Sequence, residues 1–358
     1  MRLERLELDS FRSYKKQTFH FGDLTVLVGP NASGKTNVLE AIYLLSTGVS
    51  HKAGVTEEMI TFGREIAHVT GIVEHNGERV SLGVGLTKGL LLGKRTQKRR
   101  YLVDGAPRTK ARFLGRMPVV FFRPEDLRLI EGSPGRRRGL MDEVLMQASS
   151  SYARAHVAYE GAIRRRNKIL DAIREGTARR EQLSFWDQTA IKNGNILTDA
   201  RRGLLEYLSE REVSFGKYKL QYEASTISES RLKEYEQQEV AAGYTLVGPH
   251  KDDLIVFMAT EKTDKEETGT SWRDLMKYGS RGEQRLAVLF IKLGVLQYLE
   301  EKLEVKPILL LDDIFSELDE QHRREVLKMT EGRQTIITTA EEEVAEMLKG
   351  AETIRVGK

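Results

Sequence analysis

Residues Gly29-Pro30-Asn31-Ala32-Ser33-Gly34-Lys35-Thr36 carry the spacing G-x-x-x-x-G-K-T. Glycine at both ends of the run lets the backbone curl until successive N–H groups point at phosphate oxygens. In a loop of this kind Lys35 reaches the β- and γ-phosphates and the Thr36 hydroxyl ligates Mg2+, with Asn37 the next member of the nucleotide-binding set. The flanks have the matching character. Leu24-Thr25-Val26-Leu27-Val28 is a short apolar, β-branched run, as a buried strand should be, and residues 37–45 have helical apolar spacing. Strand, loop and helix in that order point a helix N-terminus at the phosphates.

A second chemical feature lies far downstream. Ile308-Leu309-Leu310-Leu311 is closed by Asp312 and Asp313. A buried strand ending in acid at its C-terminal edge places that acid beside the phosphate loop, where open α/β sheets bind their ligands. Asp312 then holds Mg2+, directly or through water, and Asp313 orients or deprotonates the attacking water. Ser316-Glu317-Leu318-Asp319 follows and has the character of a D-loop, or of a plain N-cap at Ser316. About thirty residues before the acids, Tyr278-Gly279-Ser280-Arg281-Gly282-Glu283-Gln284-Arg285-Leu286 opens a helix. It resembles the S-x-G-[EQ] signature of ATP-binding cassette proteins, in which a serine hydroxyl and glycine N–H groups at a helix N-terminus grip a γ-phosphate. An N-cap reading of Ser280 is compatible with that role but leaves Gly282 unexplained. In cassette proteins the signature closes over the nucleotide of a second copy. That implies a head-to-tail ATP sandwich in which Ser280 and Gly282 act in trans on a site whose Lys35, Thr36, Asp312 and Asp313 act in cis.

The elements that must position these residues follow from length and pattern. With 358 residues, 40% hydrophobic and 31% charged, the chain reads as globular, with one large or two smaller domains. It has no cysteine, which excludes a disulfide scaffold and thiolate-bound zinc and suits a reducing cytosol. Met1-Arg2-Leu3-Glu4-Arg5 does not read as a signal peptide, and no apolar run has the length of a membrane span. Residues 1–122 read as β-rich: two alternating edge strands precede the buried one, and further strands at 66–74, 79–86 and 100–103 are separated by Asn76-Gly77 and Asp104-Gly105 turns. Val119-Val120-Phe121-Phe122 is another strand. Residues 139–212 read as several helices, too short for a long coiled-coil arm. Residues 261–270 read as a charged, mobile loop. From 308 onward the pattern is strand, helix (320–329), strand (335–339). The pattern gives one α/β sheet built from the N- and C-terminal parts with a helical insert between them; the resemblance of the signature to cassette proteins implies an ABC-type ATPase head, with a P-loop NTPase sheet and an antiparallel β subdomain, plus a helical second lobe. The expected division is 1–122 for the first part of the ATPase lobe, 123–302 for the helical lobe with the signature, and 303–358 for the rest of the ATPase lobe.

The net charge is +4, but residues 88–138 hold fifteen Lys/Arg against four Asp/Glu, an excess of +11 that leaves −7 for the remainder. Such asymmetry points to a face for a polyanion. Three basic clusters stand out: Lys94, Arg95, Lys98, Arg99 and Arg100; Arg136, Arg137 and Arg138; and Arg164, Arg165 and Arg166. The DNA-contact candidates are Lys94, Arg95, Arg99, Arg100, Arg136 and Arg137, binding phosphates without base readout and with strong salt sensitivity. Arg136, Arg137 and Arg138 could equally pair with acids of the following helix, such as Asp142 and Glu143. His250, beside Asp252 and Asp253, lacks the ligands for a metal site and reads as structural or nucleotide-proximal.

Taken end to end, the chain resembles the RecF family, SMC-like ATPase heads without the long arms. The resemblance is carried by Leu8-Asp9-Ser10-Phe11-Arg12-Ser13-Tyr14, by the phosphate loop with Asn37-Val38-Leu39-Glu40-Ala41, and by Phe122-Arg123-Pro124-Glu125-Asp126-Leu127. Gly132-Ser133-Pro134-Gly135-Arg136-Arg137-Arg138, Gly248-Pro249-His250-Lys251-Asp252-Asp253, the signature and Leu311-Asp312-Asp313 follow in family order. The resemblance implies a slow, DNA-stimulated ATP hydrolase that uses ATP and Mg2+ and forms an ATP-dependent homodimer. It implies sequence-independent binding of single-stranded, double-stranded or junction DNA. It also implies work with RecR and RecO in loading RecA at single-stranded gaps, in the cytoplasm at the nucleoid, away from membranes. Arg12 matches a position that approaches the nucleotide in related heads. Cassette transporters carry a Gln after the strand matching Val119–Phe122 and a His after the last core strand. Here Pro124-Glu125-Asp126 and Thr338-Thr339 stand there, and Asp313 replaces the commoner Glu. The shorter acid holds water less directly in line, so slow turnover is expected. The rival readings are a cassette transporter subunit, a small-molecule P-loop kinase, for which the signature has no purpose, and a chromosome-organising head stripped of its coiled coil.

Overall fold

The computed structural model describes residues 1–91, 93–261, 270–317, 320–348 and 350–357. The chain forms two compact units, Met1–Asp126 with Leu299–Lys358, and Leu127–Tyr298. Among the described residues no helix is long and apolar enough to cross a membrane.

The first unit holds two sheets. One is parallel throughout, in the order Val119–Phe122, Ile308–Asp312, Thr335–Thr339, Leu24–Val28, Glu352–Arg355. Its inner strands are buried nearly end to end, which is why they read as apolar runs without alternation. The other is antiparallel, in the order Tyr14–His20, Arg2–Phe11, Ile66–His75, Glu78–Thr87, Arg99–Val103, Ala106–Arg108. Asn76-Gly77 and Asp104-Gly105 turn its hairpins with positive φ at both positions of each pair, the geometry of the tight turns whose twist suits antiparallel strands. The helix Lys35–Thr47 is buried on almost every side, and Leu39, Ile42 and Leu45 join one apolar core with residues of both sheets.

In the second unit, the helices Pro134–Ala148, Ser150–Arg174 and Ser184–Ser209 precede a three-stranded antiparallel sheet of Tyr218–Glu223, Asp253–Glu261 and Thr270–Asp274. Two sequence expectations are corrected. Arg2–Phe11 is an inner strand, paired on both sides; it alternates because only one of its faces is covered. The second lobe is not helical alone. The expected loop at 261–270 and the end of the expected D-loop, Leu318 and Asp319, lie mostly or wholly outside the described residues.

Candidate functional site

The phosphate loop joins the strand Leu24–Val28 to the helix Lys35–Thr47 through left-handed backbone at Ala32 (φ 65°) and Gly34 (φ 106°). Two glycines are required by packing. A Cβ on Gly29 would collide with the carbonyl oxygen of Val356, next to the edge strand, and one on Gly34 would come within 2.7 Å of the Tyr14 hydroxyl. The Lys35 ammonium is buried and donates to the carbonyls of Gly29 at 2.6 Å and Pro30 at 3.0 Å. Burial pulls its pKa down, and the charges of Asp313 and Asp312 oppose that shift. The Ser33 hydroxyl is buried in the same loop with no hydrogen-bond partner. A hydroxyl sequestered beside N–H groups in a loop of this shape fits a phosphate group.

The two acids come to this loop from a strand separated by most of the chain. Thr36 donates its hydroxyl to Asp312 at 3.3 Å, so hydroxyl and carboxylate converge on one point, a hard oxygen donor set that fits Mg2+. Asp312 is buried, and desolvation raises its pKa; the hydrogen bonds from Thr338 and Thr36 pull it back. Thr338 donates to the same Asp312 oxygen at 2.6 Å. Asp313 takes left-handed backbone, φ 50°. Its N–H donates to the Thr338 carbonyl at 3.2 Å and to the Thr338 hydroxyl at 3.1 Å.

The tip of the first hairpin lies along the start of the phosphate-loop helix, three residues against three successive turns. Arg12 donates to both oxygens of Glu40, at 2.8 and 2.7 Å, and to the carbonyl of Glu58 at 2.6 Å. Asn37 donates its amide to the Ser13 hydroxyl at 3.0 Å, and Tyr14 donates to the Gly34 carbonyl at 3.2 Å. Glu40 is fully buried, and Ser50 donates to it as well. The structure therefore places Arg12 on Glu40, within the loop's support, and places the Asn37 amide on the hairpin.

The signature begins the helix Arg281–Leu303 with a closed capping box. Glu283 N–H donates to the Ser280 hydroxyl at 3.3 Å, and Ser280 N–H donates to the Glu283 carboxylate at 2.7 Å. The bond from the Ser280 backbone holds the Glu283 carboxyl below its usual pKa, and Arg273 pairs with it too. Gln284 donates to the carbonyl of Leu275 at 2.9 Å, fixing the turn that leads in. Ser280, Arg281 and Gly282 are exposed. A Cβ added at Gly282 would meet nothing within 4 Å.

The basic clusters divide sharply. Lys94, Arg95, Arg100 and Arg136 are exposed. Arg99 donates to the Gly48 carbonyl and the Thr56 hydroxyl, tying its strand to the end of the phosphate-loop helix. Arg137 is a correction to the DNA-contact set. It is 3% exposed, bound to both oxygens of Asp253 at 2.6 and 2.8 Å, and donates to the carbonyls of Leu129, Ile130 and Gly132. The acids of its own helix are not its partners. Asp142 instead meets Arg201, which also donates to Asp252 at 2.8 Å and to the Pro249 carbonyl at 2.7 Å. Arg166 is likewise buried, against Asp187 and Glu239.

The Gly248–Asp253 run thus anchors the second unit. Asp252 is fully buried and accepts from Arg201, Tyr222 and the Ser225 N–H. His250 bonds the Tyr159 hydroxyl at 2.7 Å and the Thr245 carbonyl at 3.0 Å. The carbonyl can only accept, so Nε2 carries the proton and Nδ1 accepts from Tyr159. Burial pushes the His250 pKa down to about 4. Gly248, at φ 124°, packs so closely on the Tyr159 hydroxyl that a side chain would clash. Sequence reasoning missed Glu40, Thr338 and Arg201. The charged partners Arg12, Asp312 and Asp142 lie 28, 26 and 59 residues away from them in turn, and no local spacing signals them.

Residues 2–357 match the RecF/RecN/SMC N terminal domain family. The chain is 34% identical over 351 residues to the DNA replication and repair protein RecF of Lachnoclostridium phytofermentans, covering 94% of this chain and 92% of that one. It is 33% identical over 352 residues to the protein of the same name from Moorella thermoacetica, covering 95% and 90%. Among solved structures it is similar to the recombination mediator protein RecF-ATP in the RecFOR pathway, with TM-score 0.84, 27% identity, and 99% and 96% of the two chains covered.

Proposed function

The chain belongs to the RecF/RecN/SMC N terminal domain family and, within it, to the RecF proteins of DNA replication and repair; its fold is an ABC-type ATPase head, and from there we propose that it is an ATP-gated DNA clamp. Each subunit holds ATP on residues 29–37 and hydrolyses it slowly, with DNA as the stimulus. ATP joins two copies head to tail, and the dimer binds DNA without regard to sequence. With RecR and RecO it directs RecA to single-stranded gaps, in the cytoplasm at the nucleoid.

The observation that carries this reading is Gly282. It lies in the first turn of its helix and a Cβ there would meet none of the described residues within 4 Å, so neither φ nor packing asks for glycine. Glycine is a poorer helix former than alanine. A close approach from outside the chain accounts for it, and a phosphate of the partner's nucleotide is the group that the serine cap and free helix N-terminus would recognise.

The chemistry follows from the residues. The curled N–H groups and Lys35 hold the β- and γ-phosphates. Asp313 orients a water and takes its proton as the water oxygen attacks the γ-phosphorus. The bond to the β–γ bridging oxygen breaks, and ADP leaves with that electron pair. Ser280 and the Gly282 N–H of the other copy steady the charge on the γ-oxygens. Mg2+, held by Thr36 and Asp312, neutralises phosphate charge when bound. Arg12 acts on the site through Glu40 and the helix it braces.

The deciding experiment is sedimentation of wild type and Ser280→Arg with and without ATP, alongside binding of a fluorescent ATP analogue. Wild type should associate on ATP. The variant should bind nucleotide within about twofold of wild type and remain a monomer. ATP-driven association by the variant sinks the trans role. DNA binding that ignores both nucleotide and salt sinks the clamp.

A further inference from the structure

Thr338 lies opposite Asp312 in the parallel register of the sheet and is completely buried. Its hydroxyl accepts from the Asp313 N–H at 3.1 Å, so its own proton must point elsewhere, and Asp312 Oδ1 lies 2.6 Å away to receive it. One hydroxyl therefore holds the side chain of the first acid and the backbone of the second. Thr36 donates to that same Asp312 oxygen. This fixes the carboxylate's rotation and leaves Oδ2 outside the clamp. Asp313, meanwhile, occupies left-handed backbone, which an aspartate can adopt but which needs a partner to hold it in one orientation. Thr338 supplies that restraint, through its carbonyl and its hydroxyl.

We propose that Thr338 is a positioning residue for ATP hydrolysis, its hydroxyl setting the orientation of Asp312 and the backbone turn that aims Asp313. The proposal rests on the ATPase reading above. A threonine inside a sheet is ordinarily there for shape, and its buried hydroxyl usually bonds a nearby carbonyl. Thr335, on the same strand, does that, donating to the Arg333 carbonyl. At Thr338 the hydroxyl instead contacts two residues that carry the chemistry. Valine keeps the branched shape and removes both hydrogen bonds that the hydroxyl makes.

The test compares wild type, Thr338→Val and Thr338→Ser. Single-turnover hydrolysis at saturating ATP should fall about tenfold or more in the valine variant, the range for losing a charge-assisted hydrogen bond, and return to within about threefold in the serine variant. Binding of a fluorescent ATP analogue should stay within about threefold throughout, because the phosphate loop is untouched. In nucleotide-free protein, hydrogen exchange at the Asp313 amide should quicken in the valine variant and not in the serine variant, a readout that needs no turnover. A valine variant hydrolysing at the wild-type rate overturns the proposal. So does a serine variant as slow as valine, which would make the methyl group and not the hydroxyl the active part. Wild-type hydrolysis in the same experiment judges the ATPase reading separately, and the Asp313 exchange result stands whichever way that falls.

Discussion

At the scale of single residues, identical side chains have opposite uses, and burial decides between them. Arg136 and Arg137 are neighbours in one basic run, yet Arg136 is open to solvent and Arg137 is enclosed with Asp253. A guanidinium inside a unit needs a carboxylate and carbonyls to replace its water; one outside is free to meet phosphate. Arg137→Ala takes the guanidinium from Asp253, whose side chain is 22% exposed, and from the carbonyls of Leu129, Ile130 and Gly132, so a loss of about 2–3 kcal/mol in urea denaturation is expected. Arg136→Ala should change stability by less than about 0.5 kcal/mol. A stable Arg137→Ala protein would show that the pair is dispensable to the second unit. His250 brings a pH dependence. Its folded pKa is about 4, below the unfolded value of about 6.5. The unfolded chain therefore takes up the proton first as pH falls. The stability is complete above about pH 6.5 and is lost progressively as pH falls toward 4, about 2 kcal/mol of it between pH 7 and 5. His250→Gln keeps a donor and an acceptor without titrating. It should be somewhat less stable at pH 7 but lose about 2 kcal/mol less on reaching pH 5. Parallel slopes for the two proteins in denaturant titrations at both pH values would reject this account.

At the scale of elements, what was legible in the sequence is what is local. The phosphate loop sits with its strand and helix inside some two dozen consecutive residues, and the hairpin turns Asn76-Gly77 and Asp104-Gly105 signal themselves through the backbone they demand. The strand Ile308–Asp312 shows as an apolar run because both of its faces are covered. The strand Glu352–Arg355 was illegible. It is four residues long with charged ends, and only its pairing with Leu24–Val28 makes it a strand. Tyr218–Glu223 alternates inner and outer residues and pairs with Asp253–Glu261, a partner thirty residues on that no local spacing signals. The site divides the same way: loop, acids and signature are contiguous motifs, whereas Glu40 and Thr338 gain their meaning from residues the fold brings to them. The signature helix carries its own prediction. Gly282→Ala should leave the thermal midpoint of the subunit unchanged or raise it, since alanine is the better helix former and finds open space. ATP-driven association should nonetheless weaken by tenfold or more. If Gly282→Ala associates like wild type in sedimentation with ATP, glycine is not there for a visiting phosphate.

At the scale of the whole molecule, the two half-sites belong to different units of the chain, and charge is shared just as unevenly, with +11 gathered in residues 88–138. Polyanion binding through that segment should fall steeply with salt. Replacing Lys94, Arg95 and Arg100 together should make log affinity against log salt shallower by about one for each phosphate that is no longer neutralised. The composite site makes a sharper demand. Lys35→Ala removes a phosphate grip but keeps a sound signature; Ser280→Arg spoils the signature but keeps a sound loop. Each alone should be inactive. In a two-fold dimer every subunit offers its loop to one site and its signature to the other. A mixed dimer therefore has one site with both defects and one with neither. Only the mixed dimers hydrolyse, and half of their sites are whole, so hydrolysis that neither variant shows alone should return on mixing, to at most about half of the wild-type rate. The recovered rate should also fall with the square of concentration once dilution separates the subunits, because a lone copy holds no complete site. Mixing that restores nothing, under conditions where wild type hydrolyses ATP, would mean that each subunit completes its own site and that ATP does not join two copies through the signature.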